Sequence, residues 1–386
     1  MNTMCPNDSK PTTCSRQNAP SPSAEPDRPW TRRDLLIRGG QTVAAAGLAV
    51  GAGAYLYDAV GDAGLQQPEP ITLKDYFAAV DYSPAGPRMG IGYGHAESID
   101  DPEAVRRMVA AAVGGLDAQG MGRFIARGDV VMVKPNVGFG RSPQIGATTN
   151  PQVVGAVVRL CFEAGASRVI VADNPIENPP ACFAQSGIRE AAESAGASVA
   201  IHSSAQDRLV QIRPHAPDAR RGEALGSWPI FYPPLAAADK VIGVPVVKDH
   251  NLCNATMCLK NWYGLLSGRR NQFHQAIHEI ISDLGLMMKP TLVVVDGTRV
   301  MMRNGPTGGR LDDVRIGGVP GRPLVLASVD QLAADSWCLQ KLLGRDPAAV
   351  PYLDLAWQKF GNDPSRLVVP TWLEYEQQGK IVETTL

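Results

Sequence analysis

The chain reads as an α/β protein built on a mainly parallel, doubly wound sheet with an irregular insertion, and two patterns predict it. From about residue 86 onward, short apolar and largely β-branched runs alternate with stretches whose apolar positions recur at helical spacing, as in βαβ units. Each apolar run also stops at a polar residue. In parallel sheets the carboxyl ends of the strands share one edge, and ligands bind in the crevice outside it.

Taken in order, residues 1–30 are rich in Ser, Pro, Asn and Thr and nearly devoid of apolar side chains, which predicts a disordered tail. Residues 31–60 begin Thr31-Arg32-Arg33-Asp34-Leu35-Leu36-Ile37 and continue into an uncharged, small and apolar run at 39–57. The order of basic and then hydrophobic residues is that of an export leader. It resembles a twin-arginine signal, with Arg32 and Arg33 as the pair and Ile37 departing from the usual final Leu. That resemblance implies the twin-arginine translocase as a partner and a location in the periplasm or on the outer face of the cytoplasmic membrane. Small-residue sites at Ala52-Gly53-Ala54 and Ala59-Val60-Gly61 leave cleavage and retention as an anchor both open. Residues 61–85 read as a linker to a domain at 86–386.

Within that domain, strands are expected at 130–133, 168–171, 241–247, 292–295 and 324–327, and helices at 151–164, 187–195, 274–288 and 332–343. Residues from about 203 to 236 break the rhythm with Pro214, Pro217, Gly222, Pro229, Pro233 and Pro234, which predicts an irregular excursion.

Composition narrows the function. With 37 basic and 38 acidic side chains, the chain has no excess positive charge with which to release counterions from a nucleic-acid backbone. Its seven cysteines are scattered without a Cys-x-x-Cys pair, so no zinc ribbon and no in-chain iron-sulfur cluster motif is present.

The polar residues at the strand ends are Lys134-Pro135-Asn136, Asp173-Asn174, Lys248-Asp249-His250, Asp296-Gly297, and Ser328 with Asp330. Asp, Asn and Ser at such places can simply cap the helices that follow. Lysine cannot accept a hydrogen bond, so Lys134 and Lys248, together with Lys260 in its apolar surroundings, point to a pocket for a small anionic ligand. The competing reading is a solvated ammonium on a buried stem. His250 and His274 are candidate ligands for a divalent metal, and His274 and His278 are spaced four apart on an expected helix. Gly90, Gly92 and Gly94 precede His95 in a glycine-spaced loop with an incomplete dinucleotide fingerprint, and the glycine-rich stretch around Gly305 could present backbone N–H groups to an anion.

These motifs, read together, resemble the family named domain of unknown function 362. The match rests on Lys134 to Asn136, Asp173, Pro245, Lys248, His250, Thr256, Leu259 to Asn261, Gly264, His274, Asp296-Gly297, Gly305-Pro306, Asp330, Ala333 and Asp335, over roughly residues 86–350. The resemblance adds Thr256 to the site residues and leaves the reaction open. On this reading Lys134, Lys248, His250, Lys260 and Asp296 are the candidate catalytic groups, with Asn136, Asp173, Asn174, Thr256, Asn261 and Gly305 as ligand contacts. Isomerase-type or hydrolase-type chemistry is compatible with that set. The alternative is an accessory protein, loaded with a metal in the cytoplasm, that serves a periplasmic oxidoreductase.

Overall fold

The computed structural model describes residues 69–78, 80–82, 89–212 and 226–359, together with the backbone of short strands at 372–375 and 381–384. The tail and leader, Arg32 and Arg33 included, and the excursion's Pro214, Pro217 and Gly222 lie outside the described residues.

In chain order the elements are β1 (Met89–Tyr93), α1 (Pro102–Gly114), β2 (Val130–Pro135), α2 (Pro151–Glu163), β3 (Arg168–Asp173), α3 (Pro179–Gln185), α4 (Ile188–Ser194) and β4 (Ser198–Ile201). There follow β5 (Arg208–Gln211), β6 (Ser227–Ile230), α5 (Pro233–Ala237), β7 (Lys240–Val244), β8 (Val246–His250), β9 (Asn254–Thr256), α6 (Cys258–Asn261) and α7 (Ile277–Met287). The last are β10 (Leu292–Met301), β11 (Val314–Ile316), β12 (Leu324–Ser328), α8 (Gln331–Lys341), α9 (Pro351–Lys359), β13 (Trp372–Tyr375) and β14 (Ile381–Thr384).

The main sheet runs β14-β13-β1-β12-β10-β7-β2-β3-β4, and its half from β10 to β4 is entirely parallel. Such strands are covered on both faces and read as continuous apolar runs. In β2 the apolar side chains divide between two buried clusters, Val131 and Val133 packing into one and Met132 into the other. The expected run at 241–247 is two strands separated by Pro245, whose ring cannot donate to a ladder.

Three expectations are corrected. The run at 324–327 is the strand β12, but it pairs antiparallel with both β1 and β10, with Ser328 opposite Val293 near the start of β10. Ser328 and Asp330 therefore sit at the edge opposite the carboxyl ends of the parallel strands. Gly90 and Gly92 are not in a loop. They lie within β1, where a Cβ at Gly92 would strike the Met108 carbonyl of α1, so the missing side chains let helix and strand approach closely. Part of the expected linker is docked on the domain: Tyr76 is buried, donates to the Leu235 carbonyl at 3.0 Å, and its own carbonyl accepts from Thr291 Oγ1 at 2.9 Å.

Within the span of the expected excursion, β5 and β6 pair antiparallel as a small separate sheet. Among the described residues no helix is long and apolar enough to cross a membrane.

Candidate functional site

The strands β2, β3 and β8 end around one cavity of about 410 Å³. Lys134, Asn136, Asp173, Asn174, Lys248 and His250 from these ends line it, as do Thr256 of β9 and Lys260 and Asn261 of α6. A volume of this size is in the range of small-molecule sites.

One wall is a closed hydrogen-bonded unit. Lys134 Nζ lies 2.7 Å from Asp173 Oδ1 and also donates to the Pro135 carbonyl at 2.9 Å and to Asn261 Oδ1 at 3.2 Å. Asp173 Oδ2 accepts from the Val137 N–H at 2.7 Å, and its Oδ1 accepts from the Asn174 N–H at 3.0 Å. Asn261 returns a bond from Nδ2 to the Lys134 carbonyl at 3.0 Å. Burial lowers the Lys134 pKa from its ordinary value, and Asp173 opposes that shift. The unit depends on Gly264, where a Cβ would collide with Asp173 Oδ1 and come within 2.8 Å of Lys134 Nζ.

The opposite wall is open. Buried Lys248 donates to Asn136 Oδ1 at 3.3 Å and to the Ala147 carbonyl, and its Nζ lies 5.4 Å from the centre of the Phe139 ring. Burial first, and then the neighbouring Lys260 ammonium, push its pKa down to about 7. The Lys260 Nζ sits 4.8 Å from the centre of the Tyr263 ring, and burial lowers its pKa as well. Among the described residues Lys260 has no hydrogen-bond acceptor. The buried Thr256 Oγ1 is likewise without a hydrogen-bond partner there.

Buried Arg270 completes the cationic lining. It donates to the carbonyls of Leu266 at 2.9 Å, Asn174 at 2.7 Å and Pro175 at 2.8 Å, tying the ends of two loops together. Among the described residues, Asp173 is the one acidic side chain lining this cavity against Lys134, Lys248, Lys260 and Arg270.

The two imidazoles differ by tautomer. The Leu252 N–H donates to His250 Nδ1 at 3.2 Å, which places the proton of a neutral ring on Nε2 and makes that nitrogen a donor. Burial, reinforced by Lys260 and Lys248, pushes the His250 pKa down to about 2, so the ring is neutral at ordinary pH. His274 is the reverse: its Nδ1 lies 2.8 Å from the Asn271 carbonyl, the geometry of an Nδ1–H donor, which leaves Nε2 with a lone pair.

The family model for Domain of unknown function (DUF362) matches residues 131–340. The chain belongs to this family. A thylakoid-associated protein of Synechocystis sp. is 28% identical over 256 residues, which cover 64% of this chain and 72% of that relative.

The DUF362 match spans every candidate catalytic, ligand-binding and metal residue of the sequence reading, and the structure brings most of them together. Two lie elsewhere. Asp296 is buried within β10 and does not line the cavity. Its Oδ2 accepts from the Asn150 N–H at 2.7 Å, and its Oδ1 accepts from Thr298 Oγ1 at 2.6 Å and from the Thr298 N–H at 2.9 Å, so it fastens β10 to the start of α2. Gly305 stands behind the wall, donating to Asp249 Oδ2 at 2.9 Å, while Pro306 and Thr307 reach the cavity.

The metal reading meets two obstacles. A His250 whose Nε2 carries the proton is not a ligand through that nitrogen, and His278 is separated from His274 because residues 270–276 wind as a 3-10 helix. His278 instead stacks on Tyr352, with ring centres 6.3 Å apart. Among the described residues no group of three or more His, Cys, Asp and Glu side chains is placed to hold a metal.

A Ser267, His202 and Asp207 cluster outside the cavity lacks the geometry for nucleophilic catalysis. Ser267 Oγ and Asp207 Oδ1 both face His202 Nε2, at 3.2 and 2.9 Å, whereas a triad uses both ring nitrogens. Sequence reasoning missed Phe139 and the apolar rim residues Ile176 and Leu252, which sit on loops without periodicity, and Arg270, which opens the 3-10 helix at 270–276.

One support lies outside the cavity. Asp335 of α8 accepts from the N–H groups of Cys258 at 2.6 Å and Leu259 at 3.2 Å. It thereby seats α6, the short helix that carries Lys260 and Asn261.

Proposed function

We propose that this chain is an exported DUF362 protein whose cavity binds a small anionic molecule and acts on it, with Lys260 as the charged contact and Lys248 beside it. One observation carries the reading. Among the described residues the cavity holds two lysines without carboxylate partners beside one that is fully paired, and a desolvated cation needs a counter-charge. An anionic ligand supplies it. His250 Nε2–H and the unpartnered Thr256 hydroxyl add neutral donors that orient a carboxylate or phosphate.

A panel of phosphate, sulfate, succinate and lactate, read by thermal shift, tests this. At least one of these anions should raise the melting temperature of the parent protein, and Lys260→Met should remove most of that rise while remaining folded. Equal shifts in parent and variant, or none with any anion, would overturn the reading.

The leader at 31–60 is the basis for placing the chain beyond the cytoplasmic membrane, and the relative's thylakoid association supports placing it at a membrane face. A paired Arg32→Lys and Arg33→Lys variant should stay in the cytoplasm. Undiminished delivery to the periplasm or membrane fraction would refute the twin-arginine route.

A further inference from the structure

Lys134 and Lys248 share a cavity but differ in what surrounds their nitrogens. An ammonium has three N–H donors, whereas a neutral amine has two and a lone pair. Lys134 Nζ meets three oxygens, one of them a carboxylate. Lys248 Nζ meets two, Asn136 Oδ1 and the Ala147 carbonyl, neither of them charged, with the Phe139 ring as its further neighbour. Two acceptors satisfy a free amine and leave its lone pair unengaged. A lysine desolvated beside another cation is also the setting in which amines act as nucleophiles.

We propose that Lys248 is a nucleophile that forms a Schiff base with the carbonyl carbon of a small oxo acid, whose carboxylate is held by Lys260. This deepens the anion-binding reading and rests on it. The Lys248 nitrogen lone pair forms a C–N bond as the carbonyl π bond breaks toward oxygen, and His250 Nε2–H donates to the developing oxyanion. A proton passes from the new ammonium nitrogen to that oxygen by way of His274 Nε2, whose lone pair is free to carry it. Loss of water then leaves the imine, which takes a proton from solvent to become the iminium. Amine and carbonyl give imine and water, so no oxidant or reductant enters. Thr256 Oγ1 offers the carboxylate a second donor. Phe139, Ile176 and Leu252 supply apolar lining for the carbon skeleton.

The test incubates the full chain with pyruvate and sodium cyanoborohydride, which reduces an iminium to a stable secondary amine, and maps the product by intact and peptide mass spectrometry. One equivalent of adduct should form on Lys248. It should be absent from Lys248→Met and Lys248→Arg, form about tenfold more slowly in Lys260→Met, and be suppressed by lactate, which shares the carboxylate and lacks the carbonyl. Adduct confined to exposed lysines such as Lys74 and Lys289, while lactate still raises the melting temperature, would overturn the nucleophile and leave anion binding standing. Adduct confined to those lysines with no shift from either compound would overturn both. If one Lys248 variant fails to fold, the other and the position of the parent adduct still decide.

Discussion

At the β2–β3 end of the cavity, Lys134 and Asp173 share a 2.7 Å contact, and the remaining donors and acceptors of the pair are occupied by backbone and Asn261. At the β8–α6 end, Lys248 meets neutral oxygens and the Phe139 ring, Lys260 meets the Tyr263 ring, and neither has a carboxylate partner among the described residues. The residue type is the same, and Lys134 and Lys248 are equally buried, while Lys260 is half-buried. What differs is whether the protein itself completes the charge. A lysine completed by its own fold is architecture, and one left incomplete in a cavity is a place for a ligand.

Breaking the closed end should have the largest effect. Lys134→Met strands Asp173 in the interior, and denaturant titration should show a loss of about 3–5 kcal/mol, part of which Asp173→Asn in the same chain restores. A loss no greater than that of a surface substitution would mean the pair is not a closed unit.

The open end should respond to pH instead. Lys248 has its pKa lowered from 10.5 to about 7. A depressed lysine pKa contributes stability that is present above the unfolded value and lost as pH falls through the folded one. The stability of Lys248→Met relative to the parent should therefore be highest on a plateau below pH 7 and decline by ~2 to 3 kcal/mol between pH 7 and pH 9. A difference that stays constant with pH would place the lysine in an ordinary environment.

Two smaller effects sharpen the contrast. Gly264→Ala puts a methyl group into the Lys134 and Asp173 contact and should cost about 1–3 kcal/mol, with the Lys248 titration unchanged. Thr256→Val removes a buried hydroxyl with no partner among the described residues, so it should raise stability by about 1 kcal/mol, yet weaken binding of a small carboxylate by roughly three- to tenfold. If calorimetry showed equal affinities, Thr256 would not be a ligand contact.

Much of this site was legible because polar residues that end parallel strands must share an edge, and Lys134, Asp173 and Lys248 do. The misplaced residues trace to information a local pattern does not carry. An apolar run reads alike in either direction, so Ser328 and Asp330 were assigned to the wrong edge of the sheet. The strand β10 continues past its polar centre to Val300 and Met301, so Asp296 marks a bond inside the strand rather than its end. His274 and His278 were expected on one helical face, but the turn of 3-10 helix between them changes the angle per residue. Phe139 comes from a loop and Arg270 from the start of the short 3-10 helix, and the course of both is set by tertiary contacts.

Lys248 is the incomplete amine in a cavity where Lys134 is complete. The most direct test is an NMR pH titration of the protein labelled at the lysine Cε carbons, with Lys248→Met to assign the resonance. One resonance, absent from the variant, should titrate with a midpoint at about 7, and addition of a small carboxylate should move that midpoint upward. A Lys248 signal that titrates with the exposed lysines, unmoved by any anion, would contradict the account.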